Sequence, residues 1–237
     1  VLASPDNSFW RQTAKSNGRS TGYRLALAQW LTHPGGKPAA LLARLQVNRI
    51  WLHYFGRGLV TTPGNFGHSG EPPSHPELLE WLAGQFVDSG WSSKAVHRLI
   101  LHSAAYRQSS ALNADAYERD PDNRLLWRMP LRRLDAESIY DALLAVSSDL
   151  DPSMGGPATP TVPIDLGEVV VAEKLPGGKR RAVYLKQRRT EIPTFLQVFD
   201  APSLVTNCVE RLPSTIPMQS LALLNSEFML TRAANIA

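Results

Sequence analysis

Apolar residues recur at helical spacing along most of the chain, and the breaks in that rhythm mark the connections. From Arg24 to Leu31 a short apolar pattern predicts a helix, stopped by His33-Pro34-Gly35-Gly36. Pro38 opens the strongest segment, Ala39 to Phe55. At about 100° per residue, Leu41, Leu45, Val47, Ile50, Trp51, Leu52, Tyr54 and Phe55 cover most of the circumference, leaving Gln46, Arg49 and His53 in one narrow polar wedge. That helix is predicted to be mostly buried. Arg44 and Asn48 fall inside its apolar arc, so both need hydrogen-bond partners to offset their loss of water.

Gly56 to Ser74 carries five glycines and three prolines, which excludes helix or central strand and predicts an unusually long loop. Ser74, Pro76 and Glu77 read as a capping-box start for a helix through Leu78, Leu79, Trp81, Leu82, Phe86 and Val87, ended by Gly90. Ser92 or Ser93 caps the next helix, with Val96, Leu99, Ile100 and Tyr106 on its apolar arc and Arg107 on the same side, so the pair forms a helical hairpin. Leu125-Leu126-Trp127 is a short apolar run. A further helix is predicted from Asp135 to Ser147, with Ile139, Tyr140, Leu143, Leu144 and Val146 inward.

Residues 151–190 form a Gly/Pro-rich insertion in which Val169-Val170-Val171 and Ala182-Val183-Tyr184-Leu185 flank a Pro-Gly-Gly turn, a β-hairpin pattern. Phe195 to Phe199 reads as a strand or turn, and Pro217 to Ala234 as a single helix carrying Leu221, Leu224, Phe228 and Met229. The polar lead-in of residues 1–20 is expected to lie within a longer protein. The fold class is therefore mainly α: one multi-helix domain over 1–237, with long Gly/Pro-rich loops and a small β-hairpin.

Composition narrows the function classes. The 237 residues are 43% hydrophobic and 19% charged, as in a folded domain, and no apolar run is long enough to span a membrane. A single cysteine, Cys208, excludes an internal disulfide framework and is expected to be a small buried residue. The net charge is +4, from 19 Arg and 6 Lys against 21 acids. The doublets Arg132-Arg133, Arg180-Arg181 and Arg188-Arg189 are separated and interleaved with apolar residues, which favours bidentate pairing inside the fold over a nucleic-acid stripe.

No motif discloses a reaction. Glu137 and Asp141 stand four apart on one predicted helix face and could act together as acid and base, but Arg133, four before Glu137, makes a salt-bridged face the simpler expectation. His97 and His102 are five apart and cannot share a ligand face. His75 beside the glycine-rich loop and His53 near a helix end could meet only through tertiary folding. No metal site, nucleotide loop or nucleophile elbow is expected. Without Cys-x-x-Cys-His the chain carries no haem attachment, so no cofactor is expected in this segment.

Several segments together resemble a known family. They are Val47-Asn48-Arg49-Ile50-Trp51 with His53, Phe55 to Val60, Phe66-Gly67, His75 to Leu79, Gly90-Trp91-Ser92, His97 to Ile100 and Tyr106 to Ser109. The match continues through Asn123 to Arg128, Arg132-Arg133-Leu134, Ala136-Glu137, Met154 to Pro157, Phe199-Asp200, Pro217 to Leu221 and Leu224-Asn225. Spanning about residues 20 to 230, they are similar to the C-terminal domain of unknown function 1553 (PSD1) of large exported planctomycete-type proteins. Asn65 stands where that family's loop commonly has Asp, so this chain offers no carboxylate at that position. The resemblance implies a periplasmic or extracellular fragment of a multidomain protein, often joined to a cytochrome c-like module, in bacteria that degrade complex glycans. It implies no established activity.

Within the matched segments Asn48, Arg49, Arg57, Arg107 and Asp200 are binding candidates, with His53 beside them, and their structural reading is as ion pairs and caps of a polar-laced core. Trp51, Trp91 or Trp127 would supply a stacking face if the partner were a glycan. Three functions follow. The first is an interaction or scaffold module of an exported, redox-linked protein, whose partners are its other domains, a haem-bearing one included. The second is a carbohydrate-active enzyme domain using Glu137 and Asp141 or a histidine such as His75. The third is a glycan-binding module without chemistry.

Overall fold

The computed structural model describes residues 15, 18, 20–164, 167–188, 190–202, 210–211 and 213–236. Cys208 and Arg189 lie outside them. The chain divides into two compact units, Val1–Arg132 and Arg133–Ala237, each with its own apolar core. Among the described residues it is mainly α, with ten α-helices and one two-stranded sheet.

The first unit contains α1 (Tyr23–Leu31), α2 (Lys37–Phe55), α3 (Pro76–Asp88), α4 (Ser93–His102), α5 (Ala104–Arg107) and α6 (Ala114–Arg119). Pro38, with its φ already helical, sits in the first turn of α2. The helix ends on Gly56, whose left-handed φ of 74° lets its N–H donate to Leu52 O at 2.8 Å. The polar wedge falls as the periodicity requires: Arg49 and His53 are exposed, while Val47, Ile50, Trp51 and Phe55 pack with Leu79, Leu82 and Phe86 of α3 and Val96 and Ile100 of α4. Each such buried side chain contributes about 1.5–3 kcal/mol of transfer free energy. Arg44 departs from expectation, its half-exposed side chain reaching Glu80 of α3 at 2.7 Å.

The capping box at Ser74 does not form. Proline at the first helical position makes His75 the N-cap, and the Ser74 hydroxyl instead lies 2.9 Å from His75 Nδ1. The far end of α3 closes as a Schellman motif: Trp91 N–H donates to Phe86 O and Gly90 N–H to Val87 O, each at 2.9 Å, with Gly90 at φ 69°. The accompanying apolar contact is Trp91 edge-on to Phe86, with centroids 5.3 Å apart. Ser92 caps α4 by accepting the Ala95 N–H, but Leu99 is exposed and the helix stops at Ser103. Tyr106 and Arg107 therefore belong to the separate turn α5, in which Tyr106 packs edge-on against Tyr54 and Phe55 and Arg107 is exposed.

The second unit contains α7 (Ala136–Val146), β1 (Thr161–Pro163), β2 (Val169–Val171), α8 (Thr194–Val198), α9 (Pro217–Asn225) and α10 (Glu227–Ile236). Ala136, Tyr140 and Leu144 of α7 form its core with Ala182, Leu185, Leu196 and Phe199, whereas Val146, the last helical residue, is exposed. The hairpin pairs Thr161 with Val171, so the partner of Val169–Val171 lies upstream. The downstream segment cannot supply it, because Ala182–Tyr184 is wound into a 3₁₀ turn whose first N–H is held by Asp141 at 2.6 Å. Phe195 to Phe199 is likewise helical, with Leu196 and Phe199 buried. The single C-terminal helix is two helices broken at Ser226, whose hydroxyl accepts the Met229 N–H, and Leu221 and Leu224 are exposed.

A buried cation ties this unit together. Arg232, only 1% exposed, meets Asp149 at 3.0 Å and Glu173 at 2.5 Å, with its guanidinium 4.7 Å above the Phe228 ring. Asp149 also binds Lys179 and Asn235.

Candidate functional site

A cleft of about 360 Å³ opens in the first unit, built from three pieces of chain. The C-terminal end of α2 supplies Trp51 and Phe55, the glycine-rich loop and the entry to α3 supply Arg57, Leu59, Thr61, Ser74 and His75, and the segment 121–132 supplies the facing wall.

The loop is positioned by Asn48. Its Oδ1 accepts the Val60 N–H at 2.9 Å and its Nδ2 donates to Val60 O at 3.0 Å, so the fully buried amide replaces a strand partner for that one residue. Gly58 must be glycine for this approach, since a β-carbon there would lie 2.5 Å from Val60 O and 2.7 Å from Asn48 Nδ2. Ser74 N–H donates to Leu59 O at 2.8 Å and closes the loop base. Asn65, where the resemblance expects Asp, accepts the Gly67 N–H and donates to Ser69, a turn made with a neutral amide.

The facing wall has a strained backbone held by side chains. Asn123 and Leu126 both have positive φ, 53° and 55°. Asn123 Nδ2 donates to Arg128 O, Gln108 donates to Leu126 O and Trp127 Nε1 donates to Asp120 O, all within 2.7–2.9 Å. Asp120 anchors the turn by accepting the N–H groups of Arg124 at 2.9 Å and Leu125 at 2.7 Å. Burial pushes its carboxyl up, but those N–H groups and the Arg124 and Arg57 charges outweigh it and hold its pKa below the usual range. Strain of this kind persists only where its surroundings over-determine it.

Four arginines line this one cleft: Arg57, Arg124, Arg128 and Arg132. Asp122 is the one acidic residue among the lining residues. Among the described residues none of the four is in an ion pair; Arg132 reaches Leu52 O at 3.4 Å and Arg128 lies 4.9 Å over the Trp127 ring. Trp51 and Phe55 are stacked on each other at 4.2 Å and are 5% and 2% exposed, so they form a floor rather than a free stacking platform.

Of the sequence candidates, the cleft brings together Trp51, Arg57 and His75. Asn48 lies behind it and positions the loop, Arg49 and His53 are on the exposed wedge of α2, Arg107 is exposed on α5, and Trp91 closes α3. The remaining three belong to the second unit. Asp200 accepts the Ser214 N–H and hydroxyl, each at 2.7 Å, and pairs with Arg133 at 2.5 Å. Arg133 thus binds Asp200 and not Glu137. Glu137 forms a two-pronged pair with Arg211 at 2.5 and 3.0 Å, and Asp141 pairs with Arg181 at 2.9 Å. Arg124, Arg128 and Arg132 were not singled out by the sequence reading, although 124–133 holds four arginines and no acid, which is the signal that marks them.

Among the described residues no three His, Cys, Asp or Glu side chains gather as a metal ion would need, and no helix is long and apolar enough to cross a membrane. Neither a search of curated proteins nor one of solved structures returned a match. A family model described as PSD1, protein of unknown function (DUF1553), matches residues 23–237, which takes in both units and every residue of the cleft. The chain belongs to the PSD1 family.

Proposed function

We propose that this chain is an interaction module of an exported multidomain protein, and that it holds its ligand in the arginine-walled cleft of the first unit. The observation that carries this reading is the convergence of Arg57, Arg124, Arg128 and Arg132 on one concave site whose backbone is locked by Asn48, Asn123 and Asp120. Guanidinium forks recognise polar partners through fixed, paired donors, and a preorganised wall limits the ordering cost of binding. The paired carboxylates that an acid-base enzyme would need are each engaged by an arginine, which favours binding over turnover. Export, a haem-bearing companion domain and a glycan-degrading setting are parts of the proposal that rest on the family resemblance.

A second reading has one observation of its own. Ser74 Oγ lies 2.9 Å from His75 Nδ1 and both line the cleft, so a histidine-activated hydroxyl would make the module a hydrolase. One experiment separates the two: equilibrium binding of the chain to a c-type cytochrome and to a panel of plant and algal glycans, acylated ones included, with released carboxylate and new reducing ends assayed in parallel. Saturable binding with neither product supports the module. Release of either product that Ser74→Ala abolishes supports the hydrolase. Absence of binding to every member of the panel overturns the hydrolase and a cytochrome or glycan partner for the module.

A further inference from the structure

We infer that the ligand of this cleft is a small oxyanion, a compact polar species that is or bears a phosphate, sulfate or carboxylate group. The inference rests on the cleft being the binding site and specifies the chemical class of what it takes.

Four guanidinium groups around one small cleft repel one another, and in a folded protein such a cluster is normally relieved by carboxylates within the site. Here that relief is small. Asp122 is the single acidic side chain of the lining, and no carboxylate of the described residues lies within ion-pair distance of any of the four. Asp120 is the other nearby acid: its charge is felt by Arg57 and Arg124, but both its oxygens accept backbone N–H groups and it forms no ion pair with either, so two carboxylates stand against four guanidinium groups. The net charge of the lining is therefore positive, and the apolar floor of Trp51, Phe55 and Leu59 limits screening by water on that side.

Geometry then selects among anions. The arginines come from two walls: Arg57 follows the C-cap of α2, and Arg124, Arg128 and Arg132 project from the strained segment. A group with several oxygens can accept paired guanidinium donors from both walls at once, as a single neutral hydroxyl cannot. The volume sits at the lower end of the range for small-ligand sites, which excludes a polymer from entering whole and fits one compact molecule above the apolar floor.

The test is isothermal titration of the whole chain with inorganic phosphate, inorganic sulfate, citrate, glucose 6-phosphate and glucose at two salt concentrations. At least one oxyanion is expected to bind, more weakly at higher salt, with glucose silent. Arg124→Ala and Arg128→Ala are each expected to weaken it about tenfold or more, the loss of one charge-assisted contact. Neither arginine is in an ion pair, and the variants lose only the contact of Arg128 over Trp127 and the Arg124 charge near Asp120, so both should melt close to the parent; if either does not, the salt dependence of the parent decides alone. Which anion binds tightest distinguishes a free inorganic ion from a phosphorylated or carboxylated metabolite. No binding of any oxyanion, or glucose binding as tightly as glucose 6-phosphate, overturns the inference. In the second case the cleft remains a binding site and the module reading survives.

Discussion

Asn48 holds Val60 by both backbone groups, accepting its N–H at 2.9 Å and donating to its carbonyl at 3.0 Å. The two residues are twelve apart and the amide is fully buried, so this contact determines where the glycine-rich loop leaves α2. Asn48→Ala leaves two backbone groups without a partner at a dry site, and is expected to cost about 2–4 kcal/mol. Arg49→Ala, one residue along on the exposed wedge, is expected to be neutral within about 0.5 kcal/mol. Urea denaturation of both variants checks the contrast, and equal stabilities would show that the amide does not carry the loop.

Acid sensitivity should centre on Asp200. The Ser214 N–H, the Arg133 guanidinium and the Ser214 hydroxyl lower its pKa to about 2 from an ordinary 3.8. A carboxyl depressed in the folded state contributes stability that is complete above its unfolded pKa and disappears as pH falls through the folded one. Melting temperatures are therefore expected to fall from about pH 5 down to pH 2. Asp200→Asn should melt lower than the parent at neutral pH and lose less between those limits. A parallel decline in both proteins would place the acid sensitivity elsewhere.

Arg232 is the strongest single dependence of the second unit. Replacing it by Met keeps much of its packing over Phe228 but leaves Asp149 and Glu173 without their shared cation. Breaking a buried pair from one side costs about 3–5 kcal/mol. Glu173→Gln should cost less, because Asp149 remains opposite the arginine. Guanidinium chloride denaturation of the two variants orders them; the reverse order would mean that Glu173 is the principal partner.

Glu137 and Asp141 are expected to matter for folding and not for ligand. The Glu137→Gln, Asp141→Asn double variant loses the charge in its contacts to Arg211 and Arg181 and should be modestly less stable. Its affinity for glucose 6-phosphate should match the parent within about twofold. A larger loss of affinity would bring the carboxylates back into the functional account.

Much of the fold is legible in the residues because it depends on local rules. The burial pattern of α2, with Arg49 and His53 outside, follows from a period of 3.6 residues. The stop at Gly56 and the Schellman close at Gly90 follow from the need for positive φ. The length of the loop after Phe55 follows from its glycines and prolines. Even the local misreadings have local causes: Pro76 moved the cap from Ser74 to His75, and Ser226 took a capping conformation that split the last helix.

Partner choice is another matter. Arg133 stands four before Glu137, yet it lies ahead of α7 rather than on it, so the helical spacing had no meaning there and the arginine found Asp200. Val169–Val171 could have paired upstream or downstream, and the 3₁₀ turn at Ala182 left only Thr161–Pro163. Arg57 and the arginines at 124, 128 and 132 are separated by about 70 residues of helix and loop, and only closure of the first unit puts them around one cleft. Periodicity, capping and turn chemistry act over a few residues and can be read from the chain; which charges meet depends on contacts distant in sequence, and those the packing of the helices decides.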